Sequence, residues 1–567
     1  MSIHPDLQKA HAALNAKDYT TADILARGVL ETNPKAHKAY QILSVSAKGQ
    51  NNWAGAEEAI KAALDIEPND AECLNSYGNI LYQTGRGLEA RSALGKALDI
   101  APNYVVPAVT LGQLLLREKD PIEAAELFRA ALVHAPGHPS LTMGLLFALK
   151  DAQQVEAATA LMSQIPPSPE TALVRGQIAA MNKQKPVAEA NFIAAINHPP
   201  TSDMGFRNLV QLGLINQNAD AAAARIAEII KSAPDVGGFY LSGADMLSDM
   251  GRRDEGLALL DQCVAKFGVQ TEITTMRAKL LIEAGDGASA FELAEAALRE
   301  RPGDLTIMAH FTRSALMTER FDLALQATKA AQQRQQNNQF WTAIEATALR
   351  GLKQDEAFRR LYNYDFVTPY DLETPPEYTT QSEFLSKLTE ELAVRQSEGG
   401  HPLGQSLRGG TQTTQDLRFA DSRVIQDFFQ ALSAPIMDYI NRMPEDAEHP
   451  LFRRKTKGYR LTGAWSVRLS GQGFHVNHIH PEGWISSAFY VQVPKGTDTR
   501  KDKAGWIKFG EPPFAVPGMS YDHAVGPKAG QLVLFPSYMW HGTIPITDGS
   551  TRITLPFDAV PSAKTAR

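Results

Sequence analysis

Pro34, Pro68, Pro102 and Pro136 fall 34 residues apart, and a chain that keeps proline on such a ladder is built from one repeated structural unit. Leu30, Leu64, Leu98 and Leu132 hold the same step four residues earlier, and Ala22, Ala56, Ala90 and Ala124 hold it twelve residues before each proline. The ladder slips near Ile165–Pro169 and resumes at Pro200, Pro234 and Pro302. Ala222, Ala290 and Ala324 continue the alanine rung, with Gly256 in its place once. The physical reading is one helix pair per repeat. A small side chain is needed where two antiparallel helices cross closely, and proline stops the second helix because it has no N–H to offer. In NSYGNILYQTGRGLEARSALGKALDIAPN, Gly78 and Ala90 are small at the crossing, Leu94 and Ala97 pack, and Pro102 ends the helix. An unrelated helical bundle has no reason to keep three residue types in phase.

This pattern resembles the tetratricopeptide repeat, and about ten such repeats fit between Ile3 and Gly351. The first predicted domain is therefore an all-α solenoid over 1–354. Stacked repeats present an extended concave face. The resemblance implies that this face takes a protein or peptide. The plain alternative is that the array only pairs with a second copy, as a homo-oligomer.

Composition excludes several other classes. The net charge of −7 comes with no basic block of the kind a nucleic acid requires, and no run approaches the roughly 20 apolar residues that span a bilayer. Cys73 and Cys263 are the only cysteines, so a disulfide framework is excluded and a reducing compartment fits. The opening residues lack an apolar segment flanked by basic ones, which predicts no signal peptide and a cytoplasmic location.

After Gly351 the helical rhythm fails. LYNYDFVTPYDLETPPEY carries four tyrosines and three prolines, which no regular helix accommodates. Helices are predicted at Ser382–Arg395 and Ser422–Met443, separated by a stretch rich in glycine and threonine. Residues 355–457 thus read as a linker and helical lead-in. From Gly458 to the end (458–567), the runs TGAWSVRLS, WISSAFYVQV, AGWIKFG, GQLVLFPS and RITLPFDAV alternate with turn residues, which predicts a domain of two facing antiparallel sheets. The fold class is α + β and multidomain.

Histidines gather in this second part. FHVNHIHPEGW supplies His475, His478 and His480, and SYMWHGTIP supplies His541. Residues two apart on a strand point the same way, so His478 and His480 are predicted to reach one metal from a strand end, with His541 arriving from elsewhere. The same parity puts His475 on the opposite face. Arg552 and Thr554 follow in TRIT on a predicted neighbouring strand.

That order resembles the iron- and 2-oxoglutarate-dependent oxygenases, whose double-stranded β-helix (jelly-roll) carries His-x-Asp, a distant His and then Arg. The likeness is closer to a bacterial subfamily with His-x-His-Pro, often fused to tetratricopeptide repeats. It covers HPLGQSLRGGTQT, WSVRLSGQGFHVNHIHPEGWISSAFYVQVP and GQLVLFPSYMWHGTIP. The resemblance implies Fe(II) held by His478, His480 and His541, with open positions for 2-oxoglutarate and O2. It also implies Arg552 pairing with the far carboxylate of 2-oxoglutarate, assisted by the Thr554 hydroxyl. Where the family has aspartate this chain has His480, so Glu482 stays open as an alternative third ligand. Tyr490 has two readings, a donor to 2-oxoglutarate or a packed core residue. Gln405, Arg408 and Thr411 lie in a glycine-dense stretch read as a substrate loop, Arg468 reads as surface, and Asp522 and His523 read as an exposed loop. The implied reaction is hydroxylation of a protein or peptide recruited by the array. The competing readings are a cupin-like metal protein without 2-oxoglutarate, and a non-catalytic adaptor.

Overall fold

The computed structural model describes residues 5–214, 218–396 and 406–562. Among the described residues, twenty-two α-helices run from Pro5–Asn15 to Asp355–Leu361, with consecutive helices packed as pairs. The alanine rung has the role that its periodicity predicts: Ala22, Ala56, Ala90, Ala124, Ala222, Ala290 and Ala324 are all fully buried. The ladder prolines stand just beyond helix ends, as Pro34 does after Tyr19–Thr32 and Pro102 after Gly87–Ile100; Pro200 differs, lying in the 3-10 turn Pro199–Thr201. A second 34-residue ladder lies in the turns inside nine of the described pairs. Lys17, Asn51, Gly85, Lys119 and Gln153, then Gly251, Gly285, Glu319 and Lys353, all adopt positive φ.

The chain divides into two compact units, residues 1–165 and 166–567, and the division falls where the proline ladder slips. The helix before it, Val155–Ser163, is short. The first unit contains only repeats. The second contains the later repeats together with every strand of the described residues.

The strands are β1 (Thr368–Asp371), β2 (Leu407–Gln412), β3 (Gly458–Ala464), β4 (Val467–His475), β5 (Ile485–Gln492), β6 (Ile507–Phe509), β7 (His523–Val525), β8 (Gln531–Pro536), β9 (His541–Thr543), β10 (Gly549–Thr554) and β11 (Phe557–Ser562). All pairings are antiparallel, and most neighbours are distant in sequence, as a jelly-roll requires. The larger sheet runs β1-β8-β5-β10-β4-β2, with β11 joining β3 to β5; the smaller runs β7-β6-β9. The run RITLPFDAV is split at Pro556 into β10 and β11, which share β5 but otherwise pair with β4 and with β3 respectively. The helix expected over Ser422–Met443 is likewise two helices, Arg423–Ala431 and Ser433–Asn441, because Pro435 interrupts it.

Two strands of the sheet come from the stretch read as linker and lead-in. β1 pairs with β8, and β2 pairs with β4. The glycine-dense segment is therefore, over Leu407–Gln412, an edge strand rather than a loop. Glycine is what permits it: a Cβ on Gly410 would collide with the Arg468 carbonyl oxygen, so only a bare backbone approaches β4 this closely.

One contiguous apolar core links the last repeats to the sheets. It includes Phe340, Trp341, Ile344 and Leu349 of the helix Gln339–Gly351 together with Trp484, Phe535, Tyr538 and Trp540. Ten of the thirteen residues of that helix are buried, which is why its sequence, QFWTAIEATALRG, is apolar on nearly every side.

Candidate metal centre

β4 ends at His475, and Val476–Pro481 leaves the sheet instead of continuing it. The strand-parity argument for His478 and His480 therefore does not describe how they converge. His478 is held by a bridge to His541: each backbone N–H donates to the other's carbonyl, at 2.8 and 3.0 Å. His480 is fixed by its N–H to the Ser537 carbonyl at 3.1 Å. The turn that follows closes through Gly483 N–H to the His480 carbonyl, and a Cβ on Gly483 would strike the Ser537 hydroxyl.

The three rings meet, with centroids 4.2 Å apart for His478 and His541, 5.3 Å for His478 and His480, and 5.2 Å for His480 and His541. One ligating atom from each lies within 4.8 Å of the other two. The free nitrogen can be assigned. His478 Nδ1 donates to the Val476 carbonyl at 2.8 Å, and His541 Nδ1 donates to the Met539 carbonyl at 2.9 Å. A carbonyl can only accept, so the proton sits on Nδ1 and the Nε2 lone pair is left for a ligand. His480 Nδ1 meets the Asp558 carboxylate at 2.5 Å, with the same consequence. Burial, and then the neighbouring His480, pushes His478 down to about 4; burial and its two neighbours hold His541 well below the usual imidazole range. Both stay neutral, the form that binds metal.

His475 is closer to this centre than its parity suggested. Its ring centroid is 5.9 Å from that of His478, its Nδ1 pairs with the Ser406 hydroxyl at 2.9 Å, and burial, with His478 and the Arg552 cation beside it, depresses its pKa. It does not belong to the three-histidine group. Glu482 is exposed and does not join that group either.

Arg552 is buried on β10, at 4 % exposure, and pairs with no carboxylate among the described residues. It donates to the Gly505 carbonyl and to the Thr543 hydroxyl, the latter at 3.2 Å, while its Nε has no acceptor. Its guanidinium carbon lies 5.6 Å from the centroid of the Tyr490 ring, and the buried Tyr490 hydroxyl also lacks a partner. Burial pushes that phenol up to about 12, so it remains a donor. Two unmet donors beside a buried cation are what a carboxylate would satisfy. Thr554 is buried two residues on along the same strand, where alternation gives it the face of Arg552.

Arg408 and Thr411 lie on edge strand β2, with Arg408 exposed; Gln405 falls outside the described residues. Arg468 is exposed on β4. Asp522 and His523 are engaged: Arg350 donates to Asp522 at 2.7 Å, Tyr364 donates to it at 3.0 Å, and the Tyr364 and His523 rings stack at 4.9 Å.

The helix Gln339–Gly351 reaches both histidine-bearing segments. The Gln339 N–H donates to the Pro481 carbonyl at 2.8 Å, next to His480. The Trp540 indole donates to the Thr347 hydroxyl at 3.0 Å, next to His541. Beyond the helix, Tyr362 accepts from the Trp540 N–H at 2.6 Å and donates to the Tyr538 carbonyl at 3.1 Å, while the Tyr538 hydroxyl donates to the Leu361 carbonyl at 2.8 Å. No local signal marks these contacts in the sequence.

Residues 463–558 match the family model described as "Putative 2OG-Fe(II) oxygenase". Tetratricopeptide models match residues 43–105, 115–174 and 241–304. The chain thus carries a 2-oxoglutarate/Fe(II) oxygenase-family domain behind tetratricopeptide repeats. No curated protein matches it. Among solved structures it is similar to Pseudomonas aeruginosa PilF (23 % identity, TM-score 0.31, covering 34 % of this chain and 90 % of that one). It is also similar to the type IV pilus biogenesis factor PilW (21 %, TM-score 0.32, 36 % and 94 %) and to a Parabacteroides merdae tetratricopeptide repeat protein (15 %, TM-score 0.32, 49 % and 98 %). Among the described residues, no helix is long and apolar enough to cross a membrane.

Proposed function

We propose that this chain is an Fe(II)- and 2-oxoglutarate-dependent oxygenase that hydroxylates a protein or peptide held by its repeats. The observation that carries the reading is the three-imidazole group in which every Nδ1 is tied and every Nε2 is free. Neutral imidazole is a good Fe(II) donor, and three such ligands leave positions open for a cosubstrate. His478, His480 and His541 hold the metal. Arg552, with its unmet Nε, and the Tyr490 hydroxyl take the far carboxylate of 2-oxoglutarate, and Thr554 adds a hydroxyl on the same face. When bound, iron with 2-oxoglutarate and O2 supplies the oxidant that turns a substrate C–H into C–OH, with succinate and CO2 as coproducts. The chain's own residues hold that centre, bury the arginine that orients the acid and exclude water around it.

A cupin-like metal protein has the same need for histidines but none for a buried, unpaired arginine, so Arg552 favours the oxygenase. Iron content below about a tenth of an equivalent after reconstitution would remove the enzyme reading altogether. Anaerobic addition of 2-oxoglutarate to the iron-loaded chain is expected to give a weak visible charge-transfer band. Arg552→Ala is expected to keep iron and lose turnover; turnover that survives rules out the arginine assignment. The recruited substrate is tested by mass spectrometry of proteins captured on the repeats, seeking oxygen addition that depends on 2-oxoglutarate.

A further inference from the structure

We infer that Asp558 is a positioning residue that supplies, through His480, the carboxylate this metal centre lacks among its direct ligands. The inference rests on the proposed metal site. The three histidines are not equivalent behind their free nitrogens. His478 and His541 donate Nδ1–H to neutral backbone carbonyls within their own turns, Val476 and Met539. His480 alone faces a carboxylate, and at 2.5 Å it is the shortest of the three contacts. Both side chains are only 16 % exposed, so solvent screens the pair weakly.

Asp558 is itself held. It stands opposite Ser486 in the β11–β5 register, and the Ser486 hydroxyl donates to the same carboxylate oxygen at 2.7 Å. The Ser537 hydroxyl lies 2.8 Å from that of Ser486, and the Ser537 carbonyl fixes the His480 backbone. A chain of groups from three strand ends thus fixes where the carboxylate points. A hydrogen-bonded carboxylate behind a metal-binding imidazole sets its tautomer and its ring angle, and raises the basicity of the free nitrogen. In a centre with three neutral ligands and a divalent ion, the arrangement also puts a carboxylate one hydrogen bond behind a ligand. His480 occupies the position where the resemblance implies aspartate, and Asp558 stands one hydrogen bond behind it.

The test uses the full chain and Co(II) alone as probe, with affinity measured by chelator competition and ligand field read from the visible bands. Asp558→Asn keeps the shape and one acceptor oxygen but removes the charge. It is expected to weaken Co(II) binding by about ten- to a hundredfold and to shift the bands. The same substitution in a His480→Gln background is expected to cost less than about twofold, because its route to the metal is gone; a merely structural role would cost the same in both. Ser486→Ala, which removes no charge, is expected to weaken binding by a smaller factor and serves if Asp558→Asn does not fold. Co(II) binding by Asp558→Asn within twofold of the parent, with unchanged bands, overturns the inference and leaves the metal site standing. A parent chain that binds no Co(II) overturns both.

Discussion

Tyr362→Phe removes one oxygen atom and separates two accounts of what holds the turn before His541. The Tyr362 hydroxyl accepts from Trp540 N–H at 2.6 Å and donates to the Tyr538 carbonyl at 3.1 Å, and the residue is 3 % exposed. Phenylalanine keeps the ring, stacked on Phe358 and tilted against Tyr538, so packing is conserved. What changes is that a buried N–H and a buried C=O lose their partner. Each such orphan costs about 1–3 kcal/mol, so the turn should lose about 2–6 kcal/mol of local stability. At about 1.4 kcal/mol per tenfold, opening of the turn rises by at least roughly 30-fold. Hydrogen exchange followed by mass spectrometry on a peptide spanning Pro536 to Thr543 measures this directly. Thr347→Val, which removes the acceptor of the Trp540 indole and the hydroxyl's bond to the Ala343 carbonyl one turn back in its own helix, is expected to give a smaller acceleration in the same peptide. Exchange within about threefold of the parent in Tyr362→Phe would mean that the turn is held by the sheet alone, and the reasoning would fail.

Two further outcomes follow from the repeats. Gly285 ends the helix Thr271–Ala284 at φ +85, so Gly285→Val should cost about 1–2 kcal/mol or more and lower the thermal midpoint, whereas Glu319→Gly at the equivalent turn should be neutral or stabilising; the opposite order would refute the second ladder. Burial pushes the Asp249 carboxyl up to about 6, with Lys279 opposing and Asp245 and Glu283 adding to the shift. Its native state binds a proton more tightly than the unfolded chain does, so this contribution is complete below about pH 4 and is lost as pH rises through about 6. Asp249→Asn should therefore raise the thermal midpoint near neutral pH and give a vanishing difference near pH 4. An equal shift at both would show that the carboxyl's ionisation is not the cause.

The repeat fold is legible because its signal is periodic and chemically narrow: proline past the helix end and alanine at the crossing leave little choice. The positive-φ ladder is hidden, since Lys17, Asn51, Lys119, Gln153, Glu319 and Lys353 occupy a position that only Gly85, Gly251 and Gly285 advertise. The histidine group is legible because imidazole is rare and metal chemistry demands it, even though the segment carrying His478 and His480 is not the strand that was expected. His475 stays outside the three-histidine group, although the same segment brings its ring to 5.9 Å from that of His478. Asp558 carries no such signal. It is 78 residues from His480 and reads as one polar residue in an ordinary strand until β11 pairs with β5. Arg350, Thr347 and Tyr362 are likewise silent, because their partners lie far along the chain.

Those silent contacts decide where the chain can be cut. The loss of helical rhythm after Gly351 invites separation at 355, yet the helix Gln339–Gly351 caps the Pro481 carbonyl, accepts from Trp540, and donates through Arg350 to the Gly510 and Ser520 carbonyls at 3.1 Å each. Phe340, Trp341, Ile344 and Leu349 share one core with Trp484, Tyr538 and Trp540. Burying four such side chains is worth about 6–12 kcal/mol in full. Even the fraction that faces the sheets rivals the roughly 5–15 kcal/mol by which whole domains are stable. Residues 355–567 alone should therefore lose their near-ultraviolet circular dichroism and bind Co(II) weakly. Residues 166–567 keep the entire core and should unfold cooperatively and bind Co(II) as the full chain does. If the shorter fragment matched the longer one in both measurements, the final repeat would be an attachment to the metal centre rather than one of its walls.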